Sequence, residues 1–228
     1  MARKDIRYVH FEIANLCNAA CPCCPRFNSN SPVPSKHLPL GYIDLKTFKK
    51  WFPPEILQRI KRINFCGNHG DPGANPDFPE IIDYISDFNY ESVQFHTNGG
   101  MLKPSFWIRL AKACNKLKTV DPVRPVFSID GLEDTNHLYR RNVKWSHLIR
   151  NVKSFIDNGG KATWSFLIFK HNQHQVQTAK QLSKEIGFTH FESNFSERWQ
   201  DFNSAGEYRD IKTITVDDYK LEKPEQPK

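Results

Sequence analysis

The sequence predicts an α/β fold: six parallel strands in a partial (β/α)6 barrel, open on one side. Short strand-like runs alternate six times with helical patterns, as parallel strands joined by crossover helices require. The polar and glycine-rich motifs fall mainly just after the strand runs, where parallel α/β folds gather their binding sites. The chain has 228 residues, short of the roughly 250 that a closed eight-unit barrel takes.

The elements follow in order. "YVHFEIA" (Tyr8–Ala14) reads as a first strand running into a cysteine-rich loop. A helix around Leu45–Ile60 is interrupted by Pro53 and Pro54, and "RINFCG" (Arg62–Gly67) follows as a second strand. The amphipathic "PEIIDYISDF" leads to "SVQFHT" (Ser92–Thr97). "PSFWIRLAKACNKL" leads to "PVFSID" (Pro125–Asp130). "WSHLIRNVKSFIDNGG" stops at glycines, as a helix end does, and "ATWSFLIF" (Ala162–Phe169) is the fifth strand. "HQVQTAKQLSKEIG" precedes the sixth, "FTHFES" (Phe188–Ser193).

Residues 1–206 read as one core domain, and 207–228, polar and ending "KPEQPK", as a poorly packed tail. Hydrophobic content of 39% with 17 Phe and 5 Trp is enough for a substantial core. No apolar run reaches the ~18 residues of a membrane span. Six cysteines without an apolar signal segment in "MARKDIRYVH" point to a reducing cytoplasm. The net charge of +7 permits an anionic ligand. However, the basic residues are scattered over helical faces such as "LKTFKKW", which argues against a nucleic-acid partner.

The most specific motif is "NLCNAACPCCPR", where Cys17, Cys21 and Cys24 stand as C-x3-C-x2-C. A closed zinc site and an ordinary [4Fe–4S] cluster each want four ligands. Three thiolates from one loop can instead hold three irons of a cubane and leave the fourth open. Cys23 adjoins Cys24, which is poor geometry for a shared centre. Half a zinc site, or chance clustering of buried thiols, is the bland alternative. Cys66 and Cys114 are isolated and read as inert buried thiols. "GNHGDPG", "TNGG" and "SIDG", each weak alone, close the second, third and fourth strand runs.

Together these motifs resemble the radical SAM superfamily, in its expected order, from about Asp5 to Asn194. In that family the CxxxCxxC motif binds a [4Fe–4S] cluster whose open iron is chelated by S-adenosylmethionine. The resemblance therefore implies Cys17, Cys21 and Cys24 as cluster ligands. "GNHGDP" resembles the family's GGEP motif, which implies a cofactor role for Gly67, Gly70 and Asp71, with Asp where Glu is usual. Thr97 and Asn98 match its TNG segment. Ser128 and Asp130 match the fourth-strand segment of the peptide-modifying and molybdopterin-type branches, with Arg140 placed to approach the cofactor carboxylate. Cys23 stands where an aromatic is often found, and "WSFLIFKHN" stands where a glycine motif is typical.

The implied function is reductive cleavage of S-adenosylmethionine to a 5′-deoxyadenosyl radical that abstracts hydrogen from a substrate. An external flavodoxin- or ferredoxin-like protein would donate the electron. The substrate is either a peptide or protein side chain or a small nucleoside- or pterin-like molecule. The alternative is a non-catalytic iron–sulfur or zinc-binding module. His10 alternates with Val9 and Phe11 and so faces the lumen of a barrel. His96 reads as core or bonded to backbone, and Lys170, His171 and Asn172 as residues at the open mouth, either substrate contacts or a solvated loop.

Overall fold

The computed structural model describes residues 5–22, 24–26, 38–196, 199–202, 208–210, 212–216 and 219–225. Six strands form one parallel sheet in chain order: β1 (Ile6–Phe11), β2 (Ile60–Phe65), β3 (Ser92–Thr97), β4 (Arg124–Ser128), β5 (Thr163–Ile168) and β6 (His190–Phe195). β1 and β6 are its two edges and do not pair, so the barrel is partial and open. The crossovers carry α1 (Leu45–Trp51), α2 (Phe78–Ile85), α3 (Pro104–Cys114), α4 (Trp145–Ile156) and α5 (Val176–Ile186).

Local chemistry sets the helix bounds. The Asp44 carboxylate caps α1 by accepting from Thr47 N at 2.7 Å. The following Pro53 and Pro54 split the expected long helix, leaving Pro54–Leu57 as a separate turn. In α2, Phe78, Ile81, Ile82 and Ile85 fall on one face, and all are buried. α5 ends on Gly187 at φ +100°, a left-handed cap that favours glycine. That cap delays the sixth strand, which begins at His190 rather than at Phe188.

The register separates the two faces of the sheet. Phe11, Phe65 and Phe95 pair across β1, β2 and β3. With Phe127 they form an aromatic layer against the helices: Phe65 lies 5.0 Å from Phe78, and Phe127 lies 5.5 Å from Phe155. Fully burying each such ring contributes about 1.5–3 kcal/mol. The neighbouring row, His10, Asn64, Gln94 and Arg124, occupies the opposite face and lines the lumen. Here the salt bridge from Arg124 to Glu192 crosses the lumen side of β4–β6.

β1 ends at Phe11, three residues before the expected Ala14. Ile13–Asn15 instead bond antiparallel to Gly41–Ile43. Within 207–228, the described residues Thr213–Val216 and Tyr219–Glu222 form an antiparallel hairpin. Its Leu221 is buried in the core, and Lys170 N donates to Glu222 O at 3.2 Å. This part of the segment expected to pack poorly is packed, because Leu221 is buried and Glu222 O accepts from Lys170 N just past β5. Among the described residues no helix is long and apolar enough to cross a membrane.

Candidate functional site

The loop that leaves β1 carries Cys17, Cys21 and Cys24, of which Cys21 is buried and the other two half-buried. Two side chains from later strand ends reach its sulfurs. Asn98, just past β3, donates Nδ2–H to Cys17 Sγ at 3.3 Å, and Arg140 lies with Nη1 3.6 Å from Cys21 Sγ. Ala19 N also donates to Cys17 Sγ at 3.4 Å. Burial pushes the Cys17 thiol up to about 12, with the Asp71 carboxylate adding to the effect. Burial likewise pushes Cys21 up, opposed by Arg140. Cys23 lies outside the described residues.

Asp71 is buried and fully engaged within the protein. Its Oδ1 accepts from Gly73 N at 2.8 Å, its Oδ2 accepts from Asn98 N at 2.7 Å, and its own N donates to Leu16 O at 2.9 Å. Asp71 therefore ties the second and third strand-end motifs to the cysteine loop. Thr97 shares the face of Phe95, with its Oγ1 accepting from Gly99 N at 3.1 Å on the helix side of the sheet. Gly70 packs so tightly that a Cβ there would run into the Ala14 carbonyl and Asn15 Cα. Likewise a Cβ on Gly67 would meet the Gly70 carbonyl.

The fourth strand end holds the charge. The Asp130 carboxylate is wholly buried, accepting from Arg140 Nε at 2.6 Å and from Leu167 N at 2.7 Å. Burial pushes Asp130 up, opposed by Arg140. Burial works against the Arg140 charge too, but Asp130, Cys21 and Tyr139 together more than offset it, so the guanidinium stays charged. Ser128 lies half-buried at the end of β4, on the lumen side with Val126 and opposite Ser165.

The sequence reading missed several supports. Asn18 donates Nδ2–H to Gly100 O at 3.2 Å and accepts from Asn98 Nδ2 at 3.0 Å. Asn151 donates to Gly99 O at 2.9 Å and Met101 O at 3.1 Å. A polar residue on the apolar face of α4, between Leu148 and Phe155, was the available signal for it. Of the three residues after β5, Asn172 is buried and donates to Asp130 O at 2.9 Å, and Lys170 pairs with Glu222 at 2.8 Å. His171 stacks on Phe169 at 5.6 Å. Asn172 thus braces the fourth strand end and Lys170 the hairpin. His96 is half-buried beside Gln94 on the lumen face, outside the aromatic core.

Residues 11–182 match the family model of the radical SAM superfamily. The chain belongs to the radical SAM superfamily. The cofactors of that superfamily are a [4Fe–4S] cluster and S-adenosylmethionine. Among curated proteins it is 27% identical over 132 residues to 7,8-dihydro-6-hydroxymethylpterin dimethyltransferase of Methanocaldococcus jannaschii, covering 58% of this chain and 24% of that protein. It is 27% identical over 142 residues to the mycofactocin maturase MftC of Mycobacterium ulcerans, covering 59% and 36%. The chain thus spans about a third or less of the length of these curated relatives. Streptococcus suis SuiB, solved bound to S-adenosylmethionine, superposes with a TM-score of 0.59 at 16% identity over 91% of this chain and 44% of SuiB.

The radical SAM cofactors fit these residues. Three thiols share one loop. Among the described residues no three His, Cys, Asp or Glu side chains gather tightly enough for a single ion. Side-chain N–H groups already aim at two of the sulfurs, as second-shell donors to metal thiolates do.

Proposed function

We propose that Cys17, Cys21 and Cys24 hold one [4Fe–4S] cluster with an open iron, and that S-adenosylmethionine binds beside it across the ends of β2, β3 and β4. The observation that carries this reading is the convergence of Asn98 and Arg140, from the third and fourth strand ends, on the thiols of the first loop. When bound, these cofactors supply a 5′-deoxyadenosyl radical that removes hydrogen from the substrate. The chain's own residues position and tune. Asn98 and Arg140 donate to thiolate sulfurs, which stabilises their charge. Asp130 aligns the Arg140 guanidinium and leaves its outer N–H groups for the cofactor carboxylate. Backbone groups around Gly67 and Gly70 serve the amino group, while Asp71 holds that loop in place. Thr97 and Asp130 act through these partners, and Ser128 offers a hydroxyl from the lumen side.

The substrate is a peptide or protein side chain or a small pterin- or nucleoside-like molecule, taken in the lumen. The name of MftC, a maturase, and the structure of SuiB bound to its precursor peptide SuiA support the first class. The name of the pterin dimethyltransferase supports the second. A flavodoxin- or ferredoxin-like protein of the cytoplasm would supply the electron. Anaerobic reconstitution tests the whole reading: four irons and four sulfides per chain are expected, lost in each of Cys17→Ala, Cys21→Ala and Cys24→Ala but kept in Cys114→Ala. With dithionite, 5′-deoxyadenosine and methionine should appear in equal amounts. A loaded protein that binds S-adenosylmethionine yet never yields 5′-deoxyadenosine would leave only a binding module.

A further inference from the structure

On the lumen face, two buried acceptor atoms have no hydrogen-bond partner among the described residues. Glu12 follows β1, and its carboxylate is fixed through one oxygen: Oε1 accepts from Asn68 N at 3.0 Å and from the Cys66 thiol at 3.3 Å. Its other oxygen, Oε2, is buried with no hydrogen-bond partner. Asn64 lies two residues before Cys66 on β2 and pairs in register with His10. It is only 6% exposed, and its Oδ1 is also buried without a partner. His10 Nδ1 sits 3.6 Å from Cys66 Sγ, which closes the group on the lumen side.

Burying an acceptor without a donor is costly, and such atoms in a native fold call for a specific explanation. Structural need does not supply one, because Oε1 alone already anchors the Asn68 loop. Both orphans are oxygens, and one belongs to a carboxylate. Their complement is therefore a group rich in N–H donors and positively charged, since charge-assisted bonds to a carboxylate are roughly twice as strong as neutral ones. An anion would meet the Glu12 carboxylate unfavourably, and a purely apolar group would leave both oxygens unsatisfied.

We propose that Glu12 and Asn64 form a subsite of the lumen that binds an ammonium or guanidinium group of the substrate. The subsite rests on the reading that the lumen holds the substrate, and it narrows either substrate class to members bearing such a group. Cys66, hydrogen-bonded to Glu12, reports on its occupancy.

The test uses cluster-loaded protein with S-adenosylmethionine bound, its iron content measured first so that loss of the cluster is seen separately. Alkylation of Cys66 by iodoacetamide at pH 9 is followed by mass spectrometry with propylammonium, propylguanidinium, propanol or propionate present. The two cations should slow modification of Cys66 at least fivefold, with propanol and propionate having little effect. Glu12→Gln keeps the Oε1 acceptor for Asn68 and should abolish that protection. Asn64→Ala should weaken it severalfold and keeps the test open if the first variant folds poorly. Equal protection by all four probes, or by none, overturns the proposal. So does full protection of Cys66 by S-adenosylmethionine alone, which would assign the orphan oxygens to the cofactor.

Discussion

Asn98 illustrates how much one residue carries at this site. Its side chain donates to Cys17 Sγ, and its backbone N is held by Asp71. Hydrogen bonds to cluster sulfurs stabilise the reduced, more negative state. Asn98→Ala should therefore move the cluster potential to more negative values, read by redox titration followed by electron paramagnetic resonance. An unchanged potential would remove the proposed tuning role. Because burial pushes Cys17 up to about 12, Cys17 is a thiol at neutral pH before loading, and loading must release its proton. Iron uptake should rise as the pH is raised from 7 to 9, with Cys114→Ala behaving like the parent protein. His171 presents the opposite case, since burial pushes it down to about 4. Unfolded chains then bind a proton near the ordinary value of about 6.5 while the fold still refuses it. Stability contributed above pH 6.5 is therefore lost as the pH falls toward 4. Chemical denaturation across that range should show the decline, and His171→Phe, which keeps the stack on Phe169, should flatten it.

Among elements, the strand ends hold one another by side-chain bonds to backbone rather than by long loops. Asn172 bonds Asp130 O, Leu167 O and Phe169 N together from within the core. Asn172→Ala should destabilise the protein by about 1–3 kcal/mol, as expected when buried groups lose their partner, and should weaken S-adenosylmethionine binding by loosening the Asp130–Arg140 pair. Thermal unfolding and calorimetric titration read the two effects; normal cofactor affinity in a destabilised variant would disconnect them. The motif "SIDG" and the later Arg140 were visible in the sequence, but not that Arg140 would pair with Asp130. Nor did the sequence reveal that Asn172, expected at the mouth, would bond Asp130 O, which lies 42 residues away in the chain and comes close because β4 and β5 are adjacent.

Across the whole molecule, one aromatic layer supports the sheet while its other face stays polar. Of this division the sequence showed His10 alternating with Val9 and Phe11; the alignment of Phe11, Phe65 and Phe95 across strands comes from the register. The hairpin near the C-terminus was not legible, since "TITV" and "YKLE" are short and lie in charged surroundings. Burial of Leu221 and the bond from Lys170 N to Glu222 O show its attachment. Leu221→Ala should cost about 2–4 kcal/mol by the usual cavity argument, whereas breaking the exposed Lys170–Glu222 pair with Lys170→Ala should cost less than about 1 kcal/mol. Urea unfolding of both variants tests that ranking. Equal losses would mean that the hairpin is held by its ion pair.

The sequence by itself determined the α/β class, the order of the six strands and the three-thiol loop after the first of them. These features follow from local periodicity, turn chemistry and residue spacing, all of which act over a few residues. The tertiary structure alone decided that Asp71 spends both oxygens inside the protein and that Thr97 faces the helices. It also decided that Arg140 pairs with Asp130 beside Cys21, and that Glu12 and Asn64 keep unsatisfied oxygens in the lumen. Each of these depends on which strands lie side by side and on which atoms burial leaves without water. Spacing along the chain does not encode that information, because hydrogen-bond satisfaction is a property of neighbours in space.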